Sequence, residues 1–201
     1  MKKLTLFFTA FLIFVSASFT NAQGLKVGDE AVSFNLKNVD GKMISLSDYK
    51  DKKGVIVVFT CNHCPYAKAY EDRLVGLQTK YKKDFPVVAI NPNDAVEYPS
   101  DNYAAMVKRA KEKGFNFPYL HDESQEIAKA YGATKTPHVY LLQNVNGQFQ
   151  VVYIGAIDDN YQDESKVKKT YLEDAVKSIN KGETPNPSET KAIGCSVKWK
   201  N

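Results

Sequence analysis

The chain has 201 residues, 43% of them hydrophobic and 25% charged, with a formal net charge of +4. This length suits one domain with a short extra segment, and the composition is that of a globular protein able to bury its own core. So mild a charge gives no basis for nucleic-acid binding or for attachment to an acidic membrane surface, and three cysteines exclude a disulfide-stapled scaffold.

Lys2 and Lys3 precede an apolar stretch from Leu4 to Val15, and Thr20-Asn21-Ala22 is a small-x-small cleavage pattern before Gln23. That order predicts a signal peptide over residues 1–22 and a periplasmic or secreted mature chain with no stable membrane span. A spanning helix needs about 20 apolar residues, and this run is shorter.

Two short strands, Ala31–Leu36 and Lys42–Leu46, flank Asp40-Gly41, a strong hairpin turn signal. Val55–Thr60 is a continuous apolar run rich in β-branched residues, which predicts a strand buried on both faces. Pro65 suits a first helical turn, and Tyr66, Tyr70, Leu74, Leu77 and Tyr81 then recur at helical spacing, so one helix is expected to about Lys83. Pro86–Asn91 is a second buried strand. A helix follows with Tyr103, Met106, Val107 and Ala110 on one face and Gly114 as its stop. Asp122 and Gln125 predict the cap of a short helix that ends at Gly132. His138–Gln143 and Gln148–Ile154 are strands joined through Asn146-Gly147, and a last helix is expected from about Asp163 to Lys181. The predicted fold class is α/β, a mixed central sheet covered by helices on both faces, with an N-terminal β-hairpin. The predicted organisation is a leader over 1–22, one domain over 23–182, and a tail over 183–201 that carries Cys195.

The chemistry concentrates in Cys61-Asn62-His63-Cys64, where a buried strand gives way to a helix. Unpaired N–H groups and the dipole at a helix start favour a thiolate and lower a cysteine pKa from about 8.5 to roughly 3.5–7.5. A protonated His63 adds to that effect. Cys64 lies one turn on, near enough to close a disulfide with Cys61. Cys61, as the more accessible member, is the expected nucleophile. A fixed staple closing so short a loop stabilises little, and a closed zinc site needs four ligands where this segment offers one cysteine pair. A redox pair is therefore the preferred reading, with the disulfide itself as the electron carrier and no further cofactor or metal. Thr136-Pro137, just before a strand, is the second signal.

The chain resembles the thioredoxin-fold, peroxiredoxin-like redoxins of the alkyl hydroperoxide reductase and thiol-specific antioxidant type. The residues that carry the resemblance run from Val27-Gly28-Asp29-Glu30-Ala31 into Phe34 and Leu36. They continue through Asp40-Gly41-Lys42, Val57 to Pro65 and Thr136-Pro137 to Gly194-Cys195-Ser196-Val197-Lys198-Trp199. The resemblance implies a thioredoxin-like fold in which Cys61 attacks, Cys64 resolves, and Pro137 is a cis-proline facing them. Thr136, Pro137 and Pro65 would then line the substrate path, the partner chain pairing with the proline loop as a strand. It implies protein thiols and disulfides as substrates, with an unidentified redox partner. Three departures stand out. Peroxidase members carry a Pro-x-x-x-Thr-x-x-Cys pattern, and with Cys64 as that cysteine, Val57 and Cys61 replace the proline and threonine. Thioredoxins carry Trp where Thr60 stands, and a buried acid where Val55 stands. A water, His63 or Glu71 is left to accept the second thiol's proton. His63 directly before the second cysteine also resembles strongly oxidising disulfide donors, so a more oxidising disulfide than thioredoxin's is expected.

Cys195 has two readings, a buried tethering residue or a third redox cysteine. His121 and His138 read as structural, although His138 follows Pro137 closely enough to line a groove. Disulfide exchange is the preferred function. The alternatives are a thiol-dependent peroxidase and a copper(I)-binding module built on the two thiols with His63 or His138.

Overall fold

The structure, a computed structural model, describes residues 24–201; the predicted leader lies outside the described residues. Seven strands form a mixed sheet: β1 (Asn35–Asn38), β2 (Met43–Ser45), β3 (Gly54–Phe59), β4 (Val87–Asn91), β5 (Tyr119–His121), β7 (His138–Val145) and β8 (Gln148–Gly155). Their order is β2-β1-β5-β4-β3-β7-β8. Strands β3, β4 and β5 are parallel, and the flanking pairs are antiparallel. A separate two-stranded pairing joins β6 (Lys135–Thr136) to β9 (Cys195–Ser196). The helices are α1 (Pro65–Ala69), α2 (Glu71–Tyr81), α3 (Tyr103–Lys113), α4 (Glu126–Tyr131) and α5 (Tyr171–Asn180).

β3 explains the layering. All six of its residues are buried, and alternate side chains enter two different cores. Ile56 and Val58 meet Leu74 and Leu77 of α2, Met106 of α3 and Leu172 and Val176 of α5. Val55, Val57 and Phe59 meet Ala128 and Tyr131 of α4, with Phe34 and Leu46. Helices therefore cover both faces, and this three-layer arrangement is the expected α/β class. The backbone of β3 is paired on both sides, to β4 in parallel and to β7 in antiparallel register, so its C-terminal end is held rigidly.

Several element boundaries differ from the sequence reading. β1 starts at Asn35 and not at Ala31, because the Ala31 N–H is taken by the Phe149 carbonyl at 2.7 Å. β5 was not anticipated; it has three residues between Pro118 and Asp122, yet it sits between β1 and β4 inside the sheet. The single helix expected after Pro65 breaks at Tyr70, whose N–H turns to the Ala67 carbonyl and whose buried hydroxyl donates to Asp158 at 2.8 Å. The last helix starts at Tyr171 and not at Asp163. Asp163 instead caps one 3₁₀ turn, and the Asp159 carboxylate accepts the Lys168 N–H at 2.9 Å, which keeps the following backbone out of the helix. The cap position of α4 is Gln125 and not Asp122, although the Asp122 carboxylate accepts the Ala128 N–H of the first turn at 2.8 Å.

Leu74 is 2% exposed and joins α2 to the sheet. Leu74→Ala is expected to lower the unfolding free energy in urea by about 2–5 kcal/mol, the cost of an unfilled core site. A loss below about 1 kcal/mol would contradict the packing of α2 described above.

Candidate active site

The end of β3 delivers Thr60 and Cys61 to one edge of the molecule, where the Thr60 N–H is fixed by the Ile90 carbonyl at 2.8 Å. The chain then crosses Asn62 and His63 and enters α1, with Cys64 as its N-cap and Pro65 in the first turn. Cys61 thus lies before the cap, and Cys64 occupies the helix start itself. Pro65 is exposed beside it. All three cysteines are free thiols. Cys61, Cys64 and Ala67 form one small buried cluster, with Tyr66 and Cys195 packed on it.

The second predicted element meets the first. Thr136–Pro137 is a cis peptide, and its loop faces the sulfurs. The Thr136 hydroxyl lies 3.3 Å from Cys61 Sγ, and the Thr136 carbonyl lies 3.2 Å from Cys64 Sγ. Cys61, Cys64, Thr136 and Pro137 are thereby in one place.

The two thiols divide a single charge. The Cys61 thiol donates to the Cys64 sulfur and holds its pKa down, at about 4, with further help from Cys195 and from the Ala67 N–H in the first turn of α1. Burial and the Thr136 carbonyl oppose this, but several donors converge on one sulfur, and hydrogen bonds to the charged form stabilise it. Cys61 is pushed upward because its proton is held by Cys64, because it is buried, and because the Asp101 carboxylate lies near. The two shifts are opposed and belong to the pair: donors around Cys64 favour its thiolate, while burial and Asp101 disfavour charge on Cys61.

His63 has a different partner from the one anticipated. Its Nδ1 hydrogen-bonds Asp101 Oδ2, and its ring stacks on Tyr98 with centroids 5.2 Å apart. Asp101 is fully buried and was missed in the sequence. It accepts the Asn62 N–H at 2.7 Å and the Asn93 side-chain amide at 2.9 Å. Its carboxylate lies within 4.8 Å of the Cys61 sulfur and is a buried acid beside the pair, as Val55 is not. Glu71 does not serve that role, since Arg109 engages both its oxygens at 2.7–2.8 Å. The only hint of Asp101 in the sequence was Pro99-Ser100-Asp101-Asn102, a run of turn and cap residues.

Ligand atoms of Cys61, His63 and Asp101 lie within 4.8 Å of one another and form a group able to hold an ion. The set fits copper(I) poorly, because a soft ion prefers paired thiolates and this group has one thiol and a hard carboxylate. His138 lies outside that group; it is 9% exposed, packed on Tyr140, and burial lowers its pKa to about 4. His121 packs on Tyr103, with its pKa also lowered by burial.

The Cys64 pKa carries a sign. Between its folded value of about 4 and its ordinary 9.0, the reduced native state binds one proton fewer than the unfolded chain, since Cys61 stays protonated in both. Stability of the reduced protein from this group therefore rises with pH across that window and is lost as pH falls through about 4. Ultraviolet titration of the reduced protein should show one thiolate with a midpoint near pH 4, absent from Cys64→Ser. A midpoint near pH 9 would overturn this charge placement.

Residues 27–170 match the model of the AhpC/TSA family. The chain is 26% identical over 152 residues to the thiol-disulfide oxidoreductase ResA of Halalkalibacterium halodurans, covering 75% of this chain and 81% of that one. The crystal structure of an uncharacterized conserved protein from Geobacillus kaustophilus superposes with a TM-score of 0.80 at 39% identity, over 87% of this chain and 93% of that one. A thiol-disulfide oxidoreductase from Bacteroides fragilis shares the fold alone, with a TM-score of 0.52 at 22% identity over 63% of this chain and 89% of its own. With its three-layer thioredoxin-like fold, its paired thiols at the β3–α1 junction and the proline loop opposite, the chain belongs to the AhpC/TSA family.

Proposed function

We propose that this thiol–disulfide oxidoreductase works through the Cys61–Cys64 pair, exchanging disulfides with protein thiols outside the cytosol. One observation carries the reading: two free thiols in one small buried cluster at a helix start, each within 3.3 Å of Thr136 in the loop that leads into cis-Pro137. Export rests on the sequence of residues 1–22, and no helix among the described residues is long and apolar enough to cross a membrane.

In the reduced form the Cys64 thiolate attacks a substrate disulfide. A mixed disulfide forms at Cys64 and one substrate sulfur leaves as a thiolate. Cys61, relieved of its proton, attacks Cys64 Sγ, closes the Cys61–Cys64 bond and releases the second substrate thiol. Asp101 and its partner His63 are placed to take the Cys61 proton. The reverse sequence oxidises a dithiol. The family resemblance assigns the attack to Cys61; the charge on Cys64 favours the opposite order.

Because the thiolate is stabilised, the reduced form is favoured and the disulfide is an oxidant. This supports the expectation of a potential above thioredoxin's, although the stabilising groups are Cys61, Cys195 and the α1 backbone in place of His63. The family's peroxidase members suggest a second reading, and the Thr136 hydroxyl beside Cys61 is the one feature in its favour.

Both readings meet in one measurement. The protein is equilibrated with glutathione buffers, its free thiols are alkylated and mapped, and insulin reduction and peroxide loss are followed on the same sample. The expected outcome is a two-electron transition at Cys61 and Cys64 above about −270 mV, with insulin turnover and no peroxide consumption. Peroxide consumption matching or exceeding insulin turnover would favour the peroxidase, and a potential at or below thioredoxin's would remove the oxidant assignment. With Cys195 also replaced by Ser, so that no third thiol can release the adduct, Cys61→Ala should trap substrate at Cys64 with turnover falling to the buffer level; trapping confined to Cys61 in Cys64→Ala on the same background would reverse the two roles.

A further inference from the structure

The edge of the proline loop is already occupied. Thr136 pairs with Cys195 and Lys135 with Ser196 in antiparallel register, so β9 lies where an incoming substrate strand would pair with β6. This fit is close: a Cβ on Gly194 would stand 2.2 Å from the Thr136 carbonyl oxygen. Beyond β9 the tail is anchored by the Val197 N–H on the Thr134 carbonyl, the Lys198 N–H on Asn93 Oδ1, the Gln125 amide on the Lys198 carbonyl and the Lys200 N–H on Gln125 Oε1, all between 2.7 and 3.2 Å. Cys61 and Cys64 are 3% and 0% exposed beneath this strap. Cys195 is half-buried and packs on the buried cluster of Cys61, Cys64 and Ala67. The three cysteines therefore lie together, with Cys195 the outermost.

We propose that Cys195 is a third redox cysteine, and that β9 is a built-in substrate strand through which the buried pair exchanges disulfides with external protein dithiols. The proposal rests on the Cys61–Cys64 reading and deepens it. Starting from the oxidised pair, the Cys195 thiolate attacks Cys64 Sγ. The Cys64–Cys195 bond forms as the Cys61–Cys64 bond breaks, and Cys61 leaves with the electron pair and takes up the proton that Cys195 gave up. No net oxidation occurs in this step. A partner thiolate then attacks Cys195 from solvent, displacing the Cys64 thiolate, which is a good leaving group because its charge is stabilised. The partner's second thiol attacks its own sulfur in the mixed disulfide and frees Cys195. The partner dithiol has lost two electrons and two protons, and the Cys61–Cys64 pair has been reduced.

Two arms test this. Cys61→Ser leaves Cys64 and Cys195 as the only thiols; treated with one equivalent of oxidised glutathione, it is expected to form a Cys64–Cys195 disulfide within the monomer in most molecules, mapped by mass spectrometry of peptides. A glutathione adduct resting on Cys64 with Cys195 free would overturn the proposal. In the second arm Cys195→Ser and Gly194→Ala are compared with wild type in oxidation of a reduced protein dithiol, their folding checked by circular dichroism. Cys195→Ser is expected to lose about tenfold or more in rate while its Cys61–Cys64 couple still titrates in glutathione. Wild-type rate in Cys195→Ser removes the relay and leaves the pair's assignment standing. If Cys61 and Cys64 fail to form a disulfide even in the wild type, the underlying reading fails instead. Gly194→Ala, which pushes the strap off the loop, is expected to reduce the Cys64–Cys195 yield; an unchanged yield would contradict the docked geometry.

Discussion

The nearness of Cys61 and Cys64 in one buried cluster is set by two backbone constraints, and the chemistry depends on it. β3 is hydrogen-bonded on both edges, so Cys61 has little freedom at its end. Pro65 at the first turn of α1 fixes where Cys64 caps the helix. One thiol then donates to the other, and the helix start supplies an N–H to the same sulfur. A single proton is shared unequally, which is a property of the pair and not of either residue. Any loosening of β3 or α1 would separate the sulfurs and return both to ordinary thiols.

Asp101 adds to the unequal division. A buried carboxylate beside Cys61 discourages a second negative charge there, so charge collects at Cys64. The carboxylate in turn is held by donors from Asn62, Asn93 and His63. Two of these lie within the Cys61–Cys64 segment itself. The same hydrogen bonds therefore shape the loop between the cysteines and set its electrostatics, and removing Asp101 would disturb both at once. Tyr119, on the unexpected strand β5, adds a bond from its hydroxyl to the Asn62 side chain at 2.9 Å. A three-residue strand thus reaches the active loop directly.

What was legible in the sequence follows from range. The β3 run, the helix after Pro65 and the Asn146-Gly147 hairpin are written in local periodicity and turn chemistry, whereas the approach of Thr136-Pro137 to the cysteines is implied by the family resemblance. β5 was not, because Tyr119-Leu120-His121 is too short to show a period and is a strand only by virtue of its neighbours β1 and β4. The site divides in the same way. Cys61 and Cys64 announce themselves by spacing. The pairing of His63 with Asp101, 38 residues away, is a tertiary fact with no local signature. The start of α5 failed for a related reason: helical spacing continues back to Val167, but the Asp159 side chain captures the Lys168 N–H, and local side-chain bonds compete with helix formation.

The tail changes how substrate access has to be viewed. A thioredoxin-like site normally offers the edge of its proline loop to a partner strand, and here that edge is filled from within the chain. The tail's anchoring bonds are worth about 1 kcal/mol each, and its tether gives it an effective local concentration of order millimolar. A free chain would have to outcompete that before it could pair. Retaining the tail as an obstacle alone would be costly for an enzyme with both sulfurs beneath it. Placing a cysteine at the register position opposite Thr136 resolves the conflict. The strap that blocks the edge also carries a thiol, so exchange by the proposed relay needs no lifting of the strap. The same geometry bears on small oxidants: with Cys61 and Cys64 at 3% and 0% exposure, Cys195 is the most accessible thiol of the three for a peroxide as for a protein dithiol.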